Sequence, residues 1–229
     1  IVIVRVQIMK ILPAVEMESP SGIEVNASII WLHGLGADGN DFAPIVSQLR
    51  LPKDFAIRFI FPHASSIPVS INNGYVMPAW YHIKQIDIDR DVDNEQLVQS
   101  AAWVHALIDR EIERGIDSKR IIIAGFSQGG AVSFEAALTY PKPLAGIMAL
   151  STYFATATNI KIDPVQNTIP LIVCHGTSDP VVPEALGEKA VATLQNLGFT
   201  PEYNSYPMEH SVCLQEIDDI ADWISRTLS

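Results

Sequence analysis

The sequence predicts an α/β fold, a mostly parallel central sheet with helices on both faces. Three observations carry that reading. Residues 57–61, 120–124, 144–150 and 169–174 are short and almost wholly apolar, the composition of strands buried on both faces of a sheet. Amphipathic helical patterns lie between such runs, so successive strands pair in parallel through right-handed crossovers. One junction, 120–140, reads as strand, sharp turn and helix, with a serine at the turn.

In chain order, residues 1–8 look superficially like a signal peptide, but they carry neither a leading basic region nor a small-residue cleavage site. With Met9 the first methionine, they read as an N-terminal extension or a misplaced start. Alternation after Val4 makes 4–12 a strand, and Ser19-Pro20-Ser21-Gly22 turns the chain toward a second at 27–33. A helix is expected at 41–49 and a strand at 57–61. Residues 63–83 have no clean period and contain Pro68, Asn72-Asn73-Gly74 and Pro78. They also carry Ile67, Val69, Ile71, Val76, Met77, Trp80 and Tyr81. A long apolar loop of this kind is expected to form a lid or pocket wall, with Ile67, Val69, Met77 and Trp80 as candidate substrate contacts. Leu97, Ala101, Val104, Ile108 and Ile112 make one helical stripe, stopped by Gly115. A strand at 120–124, a helix at 131–140 and strands at 144–150 and 169–174 follow. Leu186, Ala190, Leu194 and Leu197 repeat the helical stripe between Pro183 and Gly198. Residues 201–206 are a more polar strand, suited to an edge, and Ile217, Ile220, Ile224 and Leu228 a closing helix. With no repeat or flexible linker, 1–229 reads as a single domain.

Composition narrows the function. Of 229 residues, 15 are Lys or Arg and 26 Asp or Glu, a net charge of −11. The basic residues are scattered and Lys119-Arg120 is their only adjacent pair, which disfavours nucleic-acid binding. No apolar run approaches the ~18–20 residues of a bilayer span, so integral membrane association is not expected. Two cysteines, Cys174 and Cys213, suit a reducing, cytoplasmic setting. No histidines pair at metal-ligand spacing, so neither metal nor organic cofactor is expected.

The chemistry centres on Gly125-Phe126-Ser127-Gln128-Gly129, a G-x-S-x-G run between a strand and a helix. The glycines permit a sharp turn that lifts Ser127 above the strand ends as a nucleophile. A serine needs a base, and the base an orienting acid. Asp179 follows the strand at 169–174, in His175-Gly176-Thr177-Ser178-Asp179-Pro180, and His210 follows the strand at 201–206. The order Ser127, Asp179, His210 is that of α/β-hydrolases. Asp163, Asp218 and Asp219 are poorer rivals because none follows an apolar strand. His33 and His175 each precede glycine at a strand end and are read as shaping the backbone, His105 as a helix residue, and His63 and His82 as bracketing the loop. Trp31-Leu32-His33-Gly34-Leu35-Gly36 supplies the remaining element. An oxyanion hole takes one backbone donor from this loop and one from the residue after the nucleophile, here the Leu35 and Gln128 N–H groups.

At these motifs, together with Gly36-Ala37-Asp38-Gly39-Asn40-Asp41-Phe42, Met77-Pro78-Ala79-Trp80-Tyr81 and Asp179-Pro180-Val181-Val182-Pro183, the chain resembles the phospholipase/carboxylesterase family, which includes the acyl-protein thioesterases. The resemblance runs from about Met9 to Leu228. It implies an α/β-hydrolase fold with no separate cap domain, Ser-His-Asp catalysis by Ser127, His210 and Asp179, and hydrolysis of carboxyl esters or thioesters. Two positions depart from the family pattern. His82 stands where an Asp is usual and Glu209 where a Gly is usual, which bears on substrate preference and pH dependence. The expected function is a carboxylesterase cleaving short- to medium-chain acyl esters through an acyl-enzyme. The alternative is an acyl-protein thioesterase or lysophospholipase acting on an acylated protein or lysolipid. A non-catalytic hydrolase-fold binding protein is more distant, since no triad residue type is missing. The apolar loop would serve a homodimer as readily as a substrate.

Overall fold

The computed structural model describes residues 11–19, 22–52, 54–85 and 91–229. Its main sheet has seven strands: β1 (Ala14–Glu18), β2 (Ala27–Leu32), β3 (Ile57–Pro62), β6 (Ile121–Phe126), β7 (Gly146–Leu150), β8 (Leu171–Gly176) and β9 (Glu202–Tyr206), in the order β1-β3-β2-β6-β7-β8-β9. Only β1 runs antiparallel, against β3; every other pair is parallel. A separate antiparallel ribbon joins β4 (Ser66–Val69) to β5 (Tyr75–Pro78). The helices are α1 (Gly39–Phe42), α2 (Asn94–Glu113), α3 (Gln128–Leu138), α4 (Glu184–Asn196) and α5 (Leu214–Thr227).

The central strands are buried, Phe126 at the end of β6 alone being partly exposed among them, because both faces are covered, and alternate side chains feed two cores. Ile30, Leu32, Ile121, Ile123, Ile147 and Val173 meet Leu97, Val104, Ile108 and Phe134 on one face. Ile29, Trp31, Ile122, Met148 and Ile172 meet Phe42, Ile220, Trp223 and Ile224 on the other. Each such aliphatic side chain contributes roughly 1.5–3 kcal/mol by leaving water. One end of α2 is pinned to the sheet by charge. The fully buried Glu111 accepts from Ser28 Oγ (2.8 Å) and pairs with Arg58 (2.9 Å), Arg114 (3.0 Å) and Arg110 (3.3 Å).

Several expectations need correction. The reading of 1–8 as an extension, and nearly all of the strand expected at 4–12, lies outside the described residues. The first described strand is Ala14–Glu18, a half-exposed edge. The helix expected at 41–49 is one α-turn capped by Asp38, whose carboxylate accepts the Asn40 N–H at 2.7 Å, followed by a 3₁₀ turn at Ala43–Ser47. Pro44 causes the break, since it lacks the amide an α-helix needs there. Conversely, α3 begins at Gln128 rather than 131, immediately after the serine. The loop at 63–83 is largely the β4–β5 ribbon, with Ile67 opposite Met77. Pro68 is tolerated because β4 has one neighbour only. Asn73 (φ 55°) and Gly74 (φ 75°) take the left-handed backbone that closes the turn.

Candidate active site

Ser127 joins β6 to α3 at φ 53° and ψ −117°. A non-glycine residue rarely occupies this region, which costs on the order of 1–3 kcal/mol. The surroundings enforce it. The Ser127 N–H donates to Leu150 O at 2.8 Å, and the Ser127 carbonyl accepts the Thr152 hydroxyl at 2.6 Å. Gly129 is required for the close approach of α3 to β2, since a Cβ there would lie 2.5 Å from Leu32 O and 2.6 Å from His33 O.

Asp179 and His210 are brought together at the same end of the sheet. His210 Nδ1–H donates to Asp179 Oδ2 at 2.6 Å, while Asp179 Oδ1 accepts the Val181 and Val182 amides, both at 2.8 Å. The carboxylate is thereby fixed by three donors. Backbone bonds lace the two loops, Thr177 N–H to Tyr206 O (2.8 Å) and Ser178 N–H to Met208 O (3.1 Å). Because Nδ1 donates to Asp179, neutral His210 carries its lone pair on Nε2. The His210 ring lies against Phe126, the neighbour of Ser127, with centroids 4.7 Å apart. No hydrogen bond joins Ser127 Oγ to His210 among the described residues, a looseness common before substrate arrives.

The other histidines are engaged elsewhere. His175 is wholly buried, with Nε2–H donating to Val182 O at 2.8 Å; it lies 3.7 Å from Asp179 Oδ2. Desolvation holds its affinity for a proton below the ordinary histidine value. His63 Nδ1 accepts the Gly39 N–H at 3.1 Å, His82 contacts Ser70 Oγ at 3.0 Å, and His105 Nε2–H donates to Ala136 O at 2.7 Å. Among the rival acids, Asp163 caps the turn at Pro164–Gln166 and Asp219 accepts from Tyr206 OH at 2.8 Å. Glu209 is exposed. Among the described residues, no group of three or more His, Cys, Asp or Glu side chains could hold a metal ion.

The Leu35 and Gln128 N–H groups donate to no backbone or side-chain acceptor among the described residues. Gln128 opens the eleven-residue α3, where the helix dipole adds partial positive charge. The expected substrate contacts divide. Ile67 and Met77 are half-buried partners across the ribbon, but Val69 and Trp80 are buried. Trp80 donates its indole N–H to His33 O at 2.8 Å, a packing role.

Two features escaped sequence reasoning. The Gln128 side chain clamps the ribbon's stem, its Oε1 accepting Trp80 N–H (2.8 Å) and its Nε2 donating to Tyr81 O (2.7 Å). A recess of about 420 Å³ lies between α4, the start of α2 and the loop after β7, its wall mixing Val92, Tyr153, Phe154, Leu186 and Ala190 with Asp91, Asn94, Thr158, Lys189 and Thr193. Tyr153 OH lies 2.7 Å from Tyr81 OH. The apolar stripe of α4 and the aromatics just past a strand's end were the available signals for this recess.

Comparison with known proteins identifies the chain's relatives. Residues 14–228 match the profile of a family described as Phospholipase/Carboxylesterase. The acyl-protein thioesterase 1 of Neurospora crassa is 38% identical over 220 residues, covering 91% of this chain and 90% of that protein. The crystal structure of Arabidopsis thaliana SOBER1 superposes with a TM-score of 0.83 at 32% identity, covering 90% of this chain and 100% of that one. That of Zea mays acyl-protein thioesterase 2 does so at 0.82 and 28% identity, covering 95% and 100%.

Proposed function

The chain belongs to the phospholipase/carboxylesterase family of hydrolases, and within it we propose that this protein cleaves the acyl thioesters of S-acylated proteins, the protein thiol being the leaving group, by a Ser127–His210–Asp179 mechanism. The observation that carries the reading is the buried Asp179 carboxylate bonded at 2.6 Å to His210 Nδ1, at the strand ends where the strained Ser127 turn sits. The sequence alone favours short- to medium-chain acyl esters. Relatives of near-equal length that are named acyl-protein thioesterases favour the thioester.

Neutral His210 takes the Ser127 proton through Nε2 as Oγ attacks the acyl carbonyl. Asp179 holds the ring's orientation and stabilises the imidazolium that forms. The Leu35 and Gln128 amides receive the developing oxyanion, a donor of this kind contributing ~3–4 kcal/mol. Imidazolium returns its proton to the leaving sulfur or oxygen. Water, activated by the same histidine, then releases the acid and regenerates Ser127.

The test pairs a fluorophosphonate probe with a substrate panel. Labelling is expected in the wild type and not in Ser127→Ala. Among p-nitrophenyl esters of rising chain length and matched thioesters, the long-chain thioesters are expected to give the highest kcat/KM. A panel in which acetyl and butyryl esters lead, and thioesters gain nothing, would replace this reading with the short-chain esterase.

A further inference from the structure

The peptide that carries the Leu35 N–H is held at its other end by a histidine. His33 Nδ1 lies 2.7 Å from Gly34 O, which also accepts the Ala37 N–H at 3.3 Å. His33 Nε2 lies 3.1 Å from the Ala64 nitrogen. The ring is 1% exposed. A carbonyl can only accept and a backbone amide can only donate, so these partners dictate one neutral tautomer, with the proton on Nδ1 and the lone pair on Nε2. Desolvation favours the same neutral state, lowering the ring's proton affinity despite the opposing pull of the Gly34 hydrogen bond, Asp38 and Asp41, with His63 adding to the lowering.

Gly34 C=O and Leu35 N–H belong to one planar unit, and there is no cis peptide among the described residues, so fixing the oxygen fixes the opposite direction of the N–H. The loop lies beside the nucleophile: a Cβ on Gly34 would sit 3.5 Å from Ser127 Cβ and 3.3 Å from Phe126 Cδ1. His33 O is tied in turn to the Trp80 indole.

We propose that His33 is the positioning residue of the oxyanion hole: its Nδ1–H anchors the Gly34 carbonyl and thereby fixes the direction of Leu35 N–H. This rests on the catalytic reading above, which assigns Leu35 N–H as a donor. A histidine that only plugs the space between residues 33–36 and Ala64 would matter for stability alone.

Two variants separate these roles. His33→Asn places its amide where Nδ1 stood and can still donate to Gly34 O. His33→Gln reaches the Nε2 position, keeps an acceptor for Ala64 N–H and loses the donor to Gly34. Both are expected to melt at lower temperature. His33→Asn should keep kcat within about tenfold, while His33→Gln should lose ~10²–10³-fold in kcat with KM little changed, the loss typical of an oxyanion donor. Affinity for a trifluoromethyl ketone, which forms a tetrahedral oxyanion on the serine, should fall by the same factor in His33→Gln. Equal kcat in the two variants with unchanged ketone affinity would overturn the proposal and leave Ser127 chemistry intact. Retained activity in Ser127→Ala, run alongside, would instead bring down the catalytic reading and this proposal with it. Should either variant fail to fold, ¹⁵N NMR of the wild-type imidazole decides. Nδ1 is expected protonated, Nε2 bare, and the Nδ1–H resonance displaced when the ketone adduct forms; a proton on Nε2 would overturn the assignment.

Discussion

Ser127 holds a backbone conformation that an ordinary residue avoids, so its two simplest replacements should part company. Ser127→Ala keeps the strain and loses the proposed nucleophile. We expect kcat to fall by at least ~10⁴-fold with an unchanged melting temperature, because triad members act as a unit. Ser127→Gly also loses the nucleophile but relaxes a positive φ. It should unfold at a higher denaturant midpoint than Ser127→Ala, by about 1 kcal/mol or more. Equal midpoints would mean that the turn stores no strain. Asp179→Asn tests the orienting bond. It removes the acceptor that keeps the proton on His210 Nδ1, and kcat should drop on the order of 10⁴-fold in a protein that still folds.

The ribbon and α2 make different demands on their side chains. Val69 has no exposed surface, whereas Ile67 is half-buried. Val69→Ala should therefore cost about 1–2 kcal/mol of stability with equal effect on short and long substrates. Ile67→Ser should leave the melting temperature nearly unchanged and reduce kcat/KM for octanoyl more than acetyl substrates. Chain-length-independent losses at both positions would assign the whole ribbon to scaffolding. Glu111→Ala removes the buried acceptor shared by Ser28, Arg58, Arg110 and Arg114, and because the arginines keep Glu18 and Glu16 it should cost roughly 1–3 kcal/mol in urea unfolding. These elements were unequally readable in the sequence. Central strands such as Ile121–Phe126 announce themselves because burial on two faces removes every polar residue. The ribbon did not, since four-residue strands are too short to show a period and Pro68 argues against pairing. Ala14–Glu18 was missed because an edge strand shows only Val15 and Met17, while the more apolar stretch before it drew the assignment. Among site residues, Ser127, Asp179 and His210 follow from their positions after strands. The Gln128 clamp and the His33 anchor are side-chain bonds to distant backbone and leave no trace in spacing.

At the scale of the molecule, α5 carries a buried acid that sets how stability responds to pH. Glu216 has no exposed surface, and burial pushes its carboxyl up to about 8. The native state therefore keeps a proton that the unfolded chain releases near pH 4–5, and stability falls as pH rises from there to about 8, then levels off. Glu216→Gln removes this dependence. Its melting-temperature advantage over the wild type should be small at pH 5, grow to pH 8 and stay constant above; an advantage independent of pH would mean that Glu216 is ionised in the native protein. Sheet order gives a last consequence, for recombination. The β4–β5 ribbon pairs with no strand of the seven-stranded sheet. Its stem is held from outside, by Gly36 N–H to Pro78 O, Ala79 N–H to Ser65 O and the Gln128 clamp on Trp80 and Tyr81. Residues 66–77 thus form a cassette whose borders fall inside every one of those bonds. Exchanging it among homologous chains transplants the ribbon's exposed face while Ser127, Asp179 and His210 keep their supports.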